Sequence, residues 1–421
     1  MPTANYRPLL RTPGAAGFFL PASLGRVGGA MTGLSLVWLV HSRTGSFLAA
    51  GLVSAAFAVA EALGAPQLAR LADRFGQSRV LPPALLAHAL TVAVLVCLVT
   101  SGACDVLLAL GGALVGAGVP QLGAMSATRW AALLRPNRAA ELPTAFALES
   151  LSNTVAYLVG PALVSALAAA GHPVAGTAVA VSLSVAGGLL LAAARGTAPA
   201  PAARSTPHAT SRSLLRGDVF VLIGLNLALG VFFGAMQVSV TAFVVEHRQP
   251  GAAAAILAVS NCSGLLAGWL YGLRRWRATP AVQLLAATGA LMLATWLLLT
   301  AGSPLQLGWV VVLTGAAIPP LVALFSQLTE STVHPSVLTQ AFAWLGSASA
   351  AGSATAAAVA GWAIDALGAR GGFAVTATAA TAMTLQSLAG LRLLHPSKAG
   401  VDTNGAAPQD RRSPRKPNRS R

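Results

Sequence analysis

Residues 47–100 read FLAAGLVSAAFAVAEALGAPQLARLADRFGQSRVLPPALLAHALTVAVLVCLVT. Two apolar runs, Phe47 to Leu68 and Val80 to Thr100, flank a short charged stretch from Ala69 to Arg79. About 20 residues of helix cross a hydrocarbon core of roughly 30 Å, so the segment predicts two membrane helices joined by a tight loop. The same pattern repeats in both directions along the chain. Phe18 to Val40 precedes it, and Val106 to Ala127, Ala145 to Ala170 and Val174 to Ala193 follow. After an interruption come Val219 to Val245, Ala252 to Leu273, Val282 to Thr300, Leu307 to Leu328, Leu338 to Ile364 and Phe373 to Leu394. Twelve spans put both termini on one side of the membrane.

Composition excludes most alternatives. The 421 residues are 55% apolar and 9% charged, against about 25% charged in an ordinary soluble domain. The formal charge of +16 invites a nucleic-acid reading, but the basic residues lie in short clusters between long uncharged runs, and no nucleic-acid partner is expected. Of the 27 Lys and Arg, only Arg43, Arg248 and Arg370 fall in the loops of one side, and only Arg26 falls well inside a span. The positive-inside rule then predicts cytoplasmic termini, in a bacterial plasma (inner) membrane. The basic segment Met1 to Gly14 lacks a following cleavage site, so the first span reads as a retained helix. Cys97, Cys104 and Cys262 form neither a CxxC pair nor a metal-ligand pattern, and neither a metal nor a cofactor is expected.

Residues 196–216, rich in Ala, Pro, Ser and Thr, have a linker composition. They divide the chain into an amino-terminal six-helix bundle, 1–195, and a carboxy-terminal one, 217–395. Residues 396–421 form a basic tail expected to be disordered and held near anionic lipid headgroups. Gly29-Ala30-Met31 in span one matches Gly234-Ala235-Met236 in span seven, a weak internal repeat. Paired six-helix repeats with a midplane site between them are a known transporter plan.

The stretch Ala69-Arg70-Leu71-Ala72-Asp73-Arg74-Phe75-Gly76-Gln77-Ser78-Arg79 resembles the signature loop of the major facilitator superfamily, which joins helices two and three. Asp73, Arg74, Gly76 and Arg79 match. Ala69 stands where Gly is usual, and Gln77 and Ser78 where basic residues are common. Gly76 permits a tight turn, and the basic residues suit the inner leaflet. Asp73 has two readings, a pair with a neighbouring Arg or a contact with the positive end of another helix. The resemblance implies the second, a latch on the inner side. Gly160-Pro161 in span five is similar to the antiporter-associated motif of drug exporters in that superfamily, and reads equally as a packing kink. The resemblance implies an all-α membrane fold of two pseudo-symmetric six-helix bundles, closest to transporters of GC-rich bacteria.

A charge in hydrocarbon costs at least about 2.5–3.5 kcal/mol at a helix centre, so the buried ones are candidate machinery. Glu149 opens a stripe continued by Asn153, Ala156 and Gly160. It reads as a proton-exchanging group facing a central cavity, or as a cap at the helix start. Arg26 needs a partner, Glu149 or Glu61, or else bonds to helix-end carbonyls. Glu61, beside the Gly64 and Pro66 break, belongs to the same network or meets a cationic substrate. His88 reads as a core histidine before a proton relay. The second half has no acidic residue in mid-membrane. Its cavity candidates are Asn226, Phe232, Phe233, Gln237, Asn261, Gln327, Phe325 and Trp344, with Asn153 from the first half.

This set suits an amphipathic organic substrate. The chain is expected to be no enzyme but a monomeric, alternating-access, proton-coupled exporter of small drugs or metabolites. The alternatives are proton-coupled uptake of a nutrient such as a sugar or organic acid, and a non-transporting scaffold or sensor.

Overall fold

A computed structural model describes residues 6–201, 214, 216–249 and 252–394. The tail 396–421 and most of the 196–216 linker lie outside the described residues. No strand occurs among the described residues. The first half comprises α1 (Tyr6–Leu10), α2 (Ala15–Thr44), α3 (Phe47–Phe75), α4 (Gln77–Thr100), α5 (Asp105–Ala117), α6 (Leu122–Leu134), α7 (Leu142–Ala169) and α8 (Pro173–Ala193). The second comprises α9 (Gly217–Glu246), α10 (Ala252–Leu273), α11 (Pro280–Leu298), α12 (Pro304–Thr332), α13 (Leu338–Leu367) and α14 (Ala369–Leu394).

Eleven segments are long and apolar enough to span a bilayer. The twelfth, α14, has 26 residues, ample for crossing, but the run from Thr376 to Thr384 is almost all Ala and Thr, which dilutes its hydropathy. It packs along α9 and α11, which places it in the bundle. The spans present Leu, Val and Trp outward, as Leu52, Val59 and Leu63 do on one face of α3. Such a surface is required of helices whose backbone polar groups are satisfied internally and whose surroundings are lipid.

Packing shows the repeat better than the sequence does. α2 packs on α8 as α9 packs on α14; α3 on α5 as α10 on α12; α4 on α8 as α11 on α14. Across the halves, α3 meets α13 and α10 meets α7. The Gly-Ala-Met match does not mark equivalent places. A Cβ on Gly29 would touch nothing, whereas one on Gly234 would collide with the Ser353 carbonyl.

Two local features position the chemistry. Gly76, with φ of 93°, is at once the end of α3 and the start of α4; that backbone conformation favours glycine, so the turn is one residue long. Span four, expected as one helix from Val106 to Ala127, is instead broken around Gly118–Gln121, where Pro120 removes a backbone donor. Helix α6 starts after the break, and Arg129 within it, grouped by sequence with the loop arginines, is wholly buried.

Candidate functional site

The end of the molecule carrying the α3–α4 turn and the α6–α7, α10–α11 and α12–α13 connections is here the basic end, since Arg70, Arg74, Arg79, Arg135, Arg138, Arg274, Arg275 and Arg277 cluster there. All side-chain hydrogen bonds between the two halves, among the described residues, lie in its half of the interface. Asp73 Oδ2 accepts from the backbone N–H of Gln340 at 2.9 Å, at the start of α13. Neither Arg74 nor Arg79 pairs with it; the Arg74 guanidinium sits 5.0 Å over the Phe75 ring. Arg135 donates to Glu330 Oε1 through Nε and to the Glu330 carbonyl through Nη2, each at 2.8 Å. Thr339 donates to Thr128 at 3.1 Å, Thr144 to the Gly272 carbonyl at 3.1 Å and Ser150 to the Pro319 carbonyl at 3.1 Å. The Tyr6 hydroxyl crosses from the first half to the carbonyls of Gly268 and Trp269, at 3.3 and 3.1 Å. Burial pushes its pKa up to about 12, so it remains a neutral donor. The basic end is therefore shut.

Above this closure lies the pair that sequence left open between two partners. Arg26 Nη2 and Glu149 Oε2 form an ion pair joining α2 to α7. Arg26 Nη1 donates to the Glu149 carbonyl at 3.1 Å and Nη2 to the Gly123 carbonyl at 3.3 Å. The other carboxylate oxygen accepts from Ser126 at 2.5 Å. The side chains are 9% and 7% exposed, so each charge depends on the other for its solvation. Arg26 Nε remains buried without a partner. Ser126 could not be placed from sequence, because it reaches Glu149 only after the break in span four.

Helix rotation decides which other candidates share a cavity. On α7, at about 100° per residue, Asn153 and Tyr157 occupy the sector between Gly160, which abuts Val27 and Ala30 of α2, and Ser150, which bonds α12. Both are exposed. Glu61 lies on α3 between Gly64, packed on α5, and Ala65, packed on α13, away from the lipid-facing Leu52, Val59 and Leu63. It makes no hydrogen bond or ion pair with other described residues, and lies within electrostatic reach of Tyr157. On α9, Asn226, Phe233 and Gln237 share one face, roughly opposite the side that meets α14. Asn226 is buried towards the basic end, where its amide donates to the Leu222 carbonyl at 2.9 Å; Phe233 and Gln237 are exposed. Asn261 lies two turns from Gly268 on the α10 face that meets α7. Glu61, Asn153, Tyr157 and Asn261 face the interface between the halves, beyond the bonds that close the basic end.

Three aromatic candidates stand elsewhere. Phe232 and Phe325 are 1% and 2% exposed, inside the packed core of the second half, whereas Phe233, one residue on, is exposed. Trp344 shares a helical sector with Thr355, Val359 and Trp362, all exposed, and faces away from both α9 and α3. Gln327 lines a separate hollow at the basic end. His88 is 1% exposed within the first half and does not reach the cavity. α7 runs unbroken through Pro161, and Gly160 provides close approach to α2.

Sequence reading missed Arg129. Its Nε donates to Gln77 Oε1 at 2.8 Å, and Nη1 to the Ala194 carbonyl at 2.6 Å and to Thr197 at 3.2 Å. It fastens the start of α4 to the end of α8, and the signal available was its place as the one charged residue in the run Leu122–Leu134.

The architecture has many solved counterparts. A bacterial homologue of the iron transporter ferroportin, in its outward-facing state, aligns over 89% of this chain and 98% of its own, with a TM-score of 0.73 and 13% identity. The human organic anion transporter MFSD10 aligns over 89% and 98%, at 0.65 and 16%, and the E. coli fucose:proton symporter FucP over 90% and 98%, at 0.66 and 16%. No curated protein matches in sequence. The sequence model of the Major Facilitator Superfamily matches residues 18–336. With twelve helices in two pseudo-symmetric bundles and that match over most of its length, the chain belongs to the Major Facilitator Superfamily, a family of membrane transporters.

Proposed function

We propose that the protein is a proton-coupled exporter of small amphipathic organic molecules, working by alternating access. The positive-inside rule makes the basic end cytoplasmic, so the described state has its cavity open outward. The observation that carries the reading is the Arg26–Glu149–Ser126 cluster, buried where the cavity meets the closed end. With Glu149 ionised, the pair clamps α2 to α7, and Ser126 ties α6 to the same carboxylate. A proton arriving from the cavity would neutralise Glu149 and remove the Coulombic part of the clamp. Arg26 would keep its bonds to the carbonyls of Gly123 and Glu149. Helix α7 carries both this carboxylate and the bonds of Thr144 and Ser150 to the second half, so loosening α7 against α2 is coupled to the closure itself. The amides of Asn153, Gln237 and Asn261, with Tyr157 and Phe233, offer neutral hydrogen bonds and ring faces to an amphipathic substrate.

The test is accumulation of amphipathic dyes and antibiotics in an efflux-deficient bacterium expressing the wild type or Glu149→Gln, with and without a protonophore. Reduced accumulation lost on both treatments is expected. Unchanged accumulation throughout would sink broad export. A second reading, proton-driven uptake, takes its support from the likeness to the fucose:proton symporter and predicts accumulation that rises with expression and collapses with the protonophore.

A further inference from the structure

At the basic end, between the two halves, lies a cavity of about 430 Å³. The first half contributes Pro8, Glu141, Pro143 and Thr144; the second contributes Tyr271, Arg274, Arg275 and Trp276. Its charges do not balance. Glu141 is held by Arg138 through two hydrogen bonds of 2.8 and 2.5 Å, so its charge is already met. Arg274 and Arg275 have no carboxylate partner among the described residues. The Arg274 guanidinium lies 4.6 Å over the Trp276 ring, and the indole N–H is bonded to the Tyr271 carbonyl at 3.2 Å. Tyr271 is itself fixed to Gln283 at 2.9 Å. A guanidinium stacked on a restrained indole is oriented and leaves its edge N–H groups free for a two-pronged contact with an oxyanion.

We infer that this cavity binds a phosphate-bearing anion carrying an apolar part, and that the bound anion holds the basic end closed. The phosphate meets Arg274 and Arg275, and the apolar part lies against Pro8, Pro143 and Trp276. The site exists in one state only. Its walls come from both halves, and the bonds beside it, Thr144 to Gly272 and Tyr6 to Gly268 and Trp269, cross the same interface. Opening the basic end pulls Thr144 away from Tyr271 and dismantles the cavity. A ligand bound in one state shifts the balance towards it by 1 + [L]/Kd, about elevenfold at ten times Kd. The chemistry fits an acidic phospholipid headgroup at the inner leaflet and a soluble organic phosphate alike. The inference stands apart from the proton-coupling role of Glu149 and survives its failure.

The full-length protein would be placed in nanodiscs of phosphatidylcholine alone or with phosphatidylglycerol, and thermal melting measured. In parallel, spin labels would be placed at Arg70 and His334, on facing segments of the two halves at the basic end, after replacement of Cys97, Cys104 and Cys262. Phosphatidylglycerol is expected to raise the melting temperature and enrich the short-distance population severalfold. Arg274→Gln/Arg275→Gln should abolish both effects. Arg277→Gln, which removes an equal charge from a neighbouring exposed residue outside the cavity, should preserve them. Glycerol 3-phosphate in phosphatidylcholine discs forms the second arm, and if it alone reproduces the effects, the site takes a soluble phosphate. Equal responses in wild type and the double variant, equal loss in Arg277→Gln, or no response to either ligand would overturn the inference.

Discussion

The seam between α2 and α7 in the first half and the seam between α9 and α13 in the second occupy corresponding places in the two bundles, yet they are built on opposite principles. The first is held by one buried ion pair, Arg26 with Glu149, and a close approach at Gly160. The second has no ion pair among the described residues. Gly230 and Gly234 bring α9 against the carbonyls of Ser349 and Ser353, and Gly352 receives the Leu227 carbonyl. Packing there is much more extensive. Close contact between small residues drives helix association in lipid and has a single arrangement. An ion pair has two, joined and broken, and its strength depends on protonation. On the proposed mechanism the difference gives rigidity to the second half and switching to the first.

The largest expected effect is at the charged seam. Glu149→Gln leaves Arg26 buried without a counter-charge, and breaking a buried pair in this way costs about 3–5 kcal/mol. Melting of the purified protein should fall accordingly, and protonophore-sensitive transport should vanish. The double variant Arg26→Met/Glu149→Met removes both charges and should recover most of the stability while leaving transport absent. Recovery of transport as well would mean that the pair is only a structural clamp.

Next is the uncharged seam. A Cβ at Gly230 would sit well inside contact distance of the Ser349 backbone, so Gly230→Ala is expected to destabilise by about 1–3 kcal/mol as overpacking. Gly29→Ala, with open space around it, should leave melting unchanged. Equal melting of the two variants would show that the seam yields, and that rigidity does not belong to the second half.

The asymmetry was partly legible beforehand. Hydropathy and charge placement suffice for the spans because lipid imposes a length and excludes charge. Arg26 and Glu149 stood out because an ionisable group in mid-membrane is rare. Helix rotation was harder to read. In helices so rich in Ala, Gly, Leu and Val, polar residues are too few to mark a face, so Phe232 and Phe233 could not be told apart. Ser126 and Arg129 follow the break at Pro120, which interrupts the helix with no change in hydrophobic pattern. Gly29-Ala30-Met31 and Gly234-Ala235-Met236 matched in letters but not in surroundings, because a three-residue identity among the commonest residues carries little positional information.

A smaller effect is expected at the closure. Arg135 and Glu330 join the halves; the Arg135 side chain is 38% exposed and that of Glu330 8%, so solvent screens the pair from one side and it contributes about 1 kcal/mol. Arg135→Ala should therefore move the balance towards an open basic end by at most about fivefold, read from the distance between labels at Arg70 and His334. A complete opening would make this one pair the principal lock and diminish the importance of Asp73, Thr128 and Ser150 at the same interface.

The smallest expected effect bears on the passive role proposed for the second half. Trp344 and Trp362 are 18 residues apart on α13, five full turns, so they point the same way at a separation of roughly 27 Å, close to the core thickness of about 30 Å. Tryptophans at both edges of a span are headgroup anchors. Trp344→Phe should leave dye transport and its protonophore sensitivity unchanged. In a protein retaining Trp344 as its single tryptophan, lipids brominated near the headgroup should quench its fluorescence more than lipids brominated at the chain ends, and a transported dye should not shield it. Shielding by the dye would instead place Trp344 on the substrate path and give the second half a recognition aromatic besides the proposed Phe233.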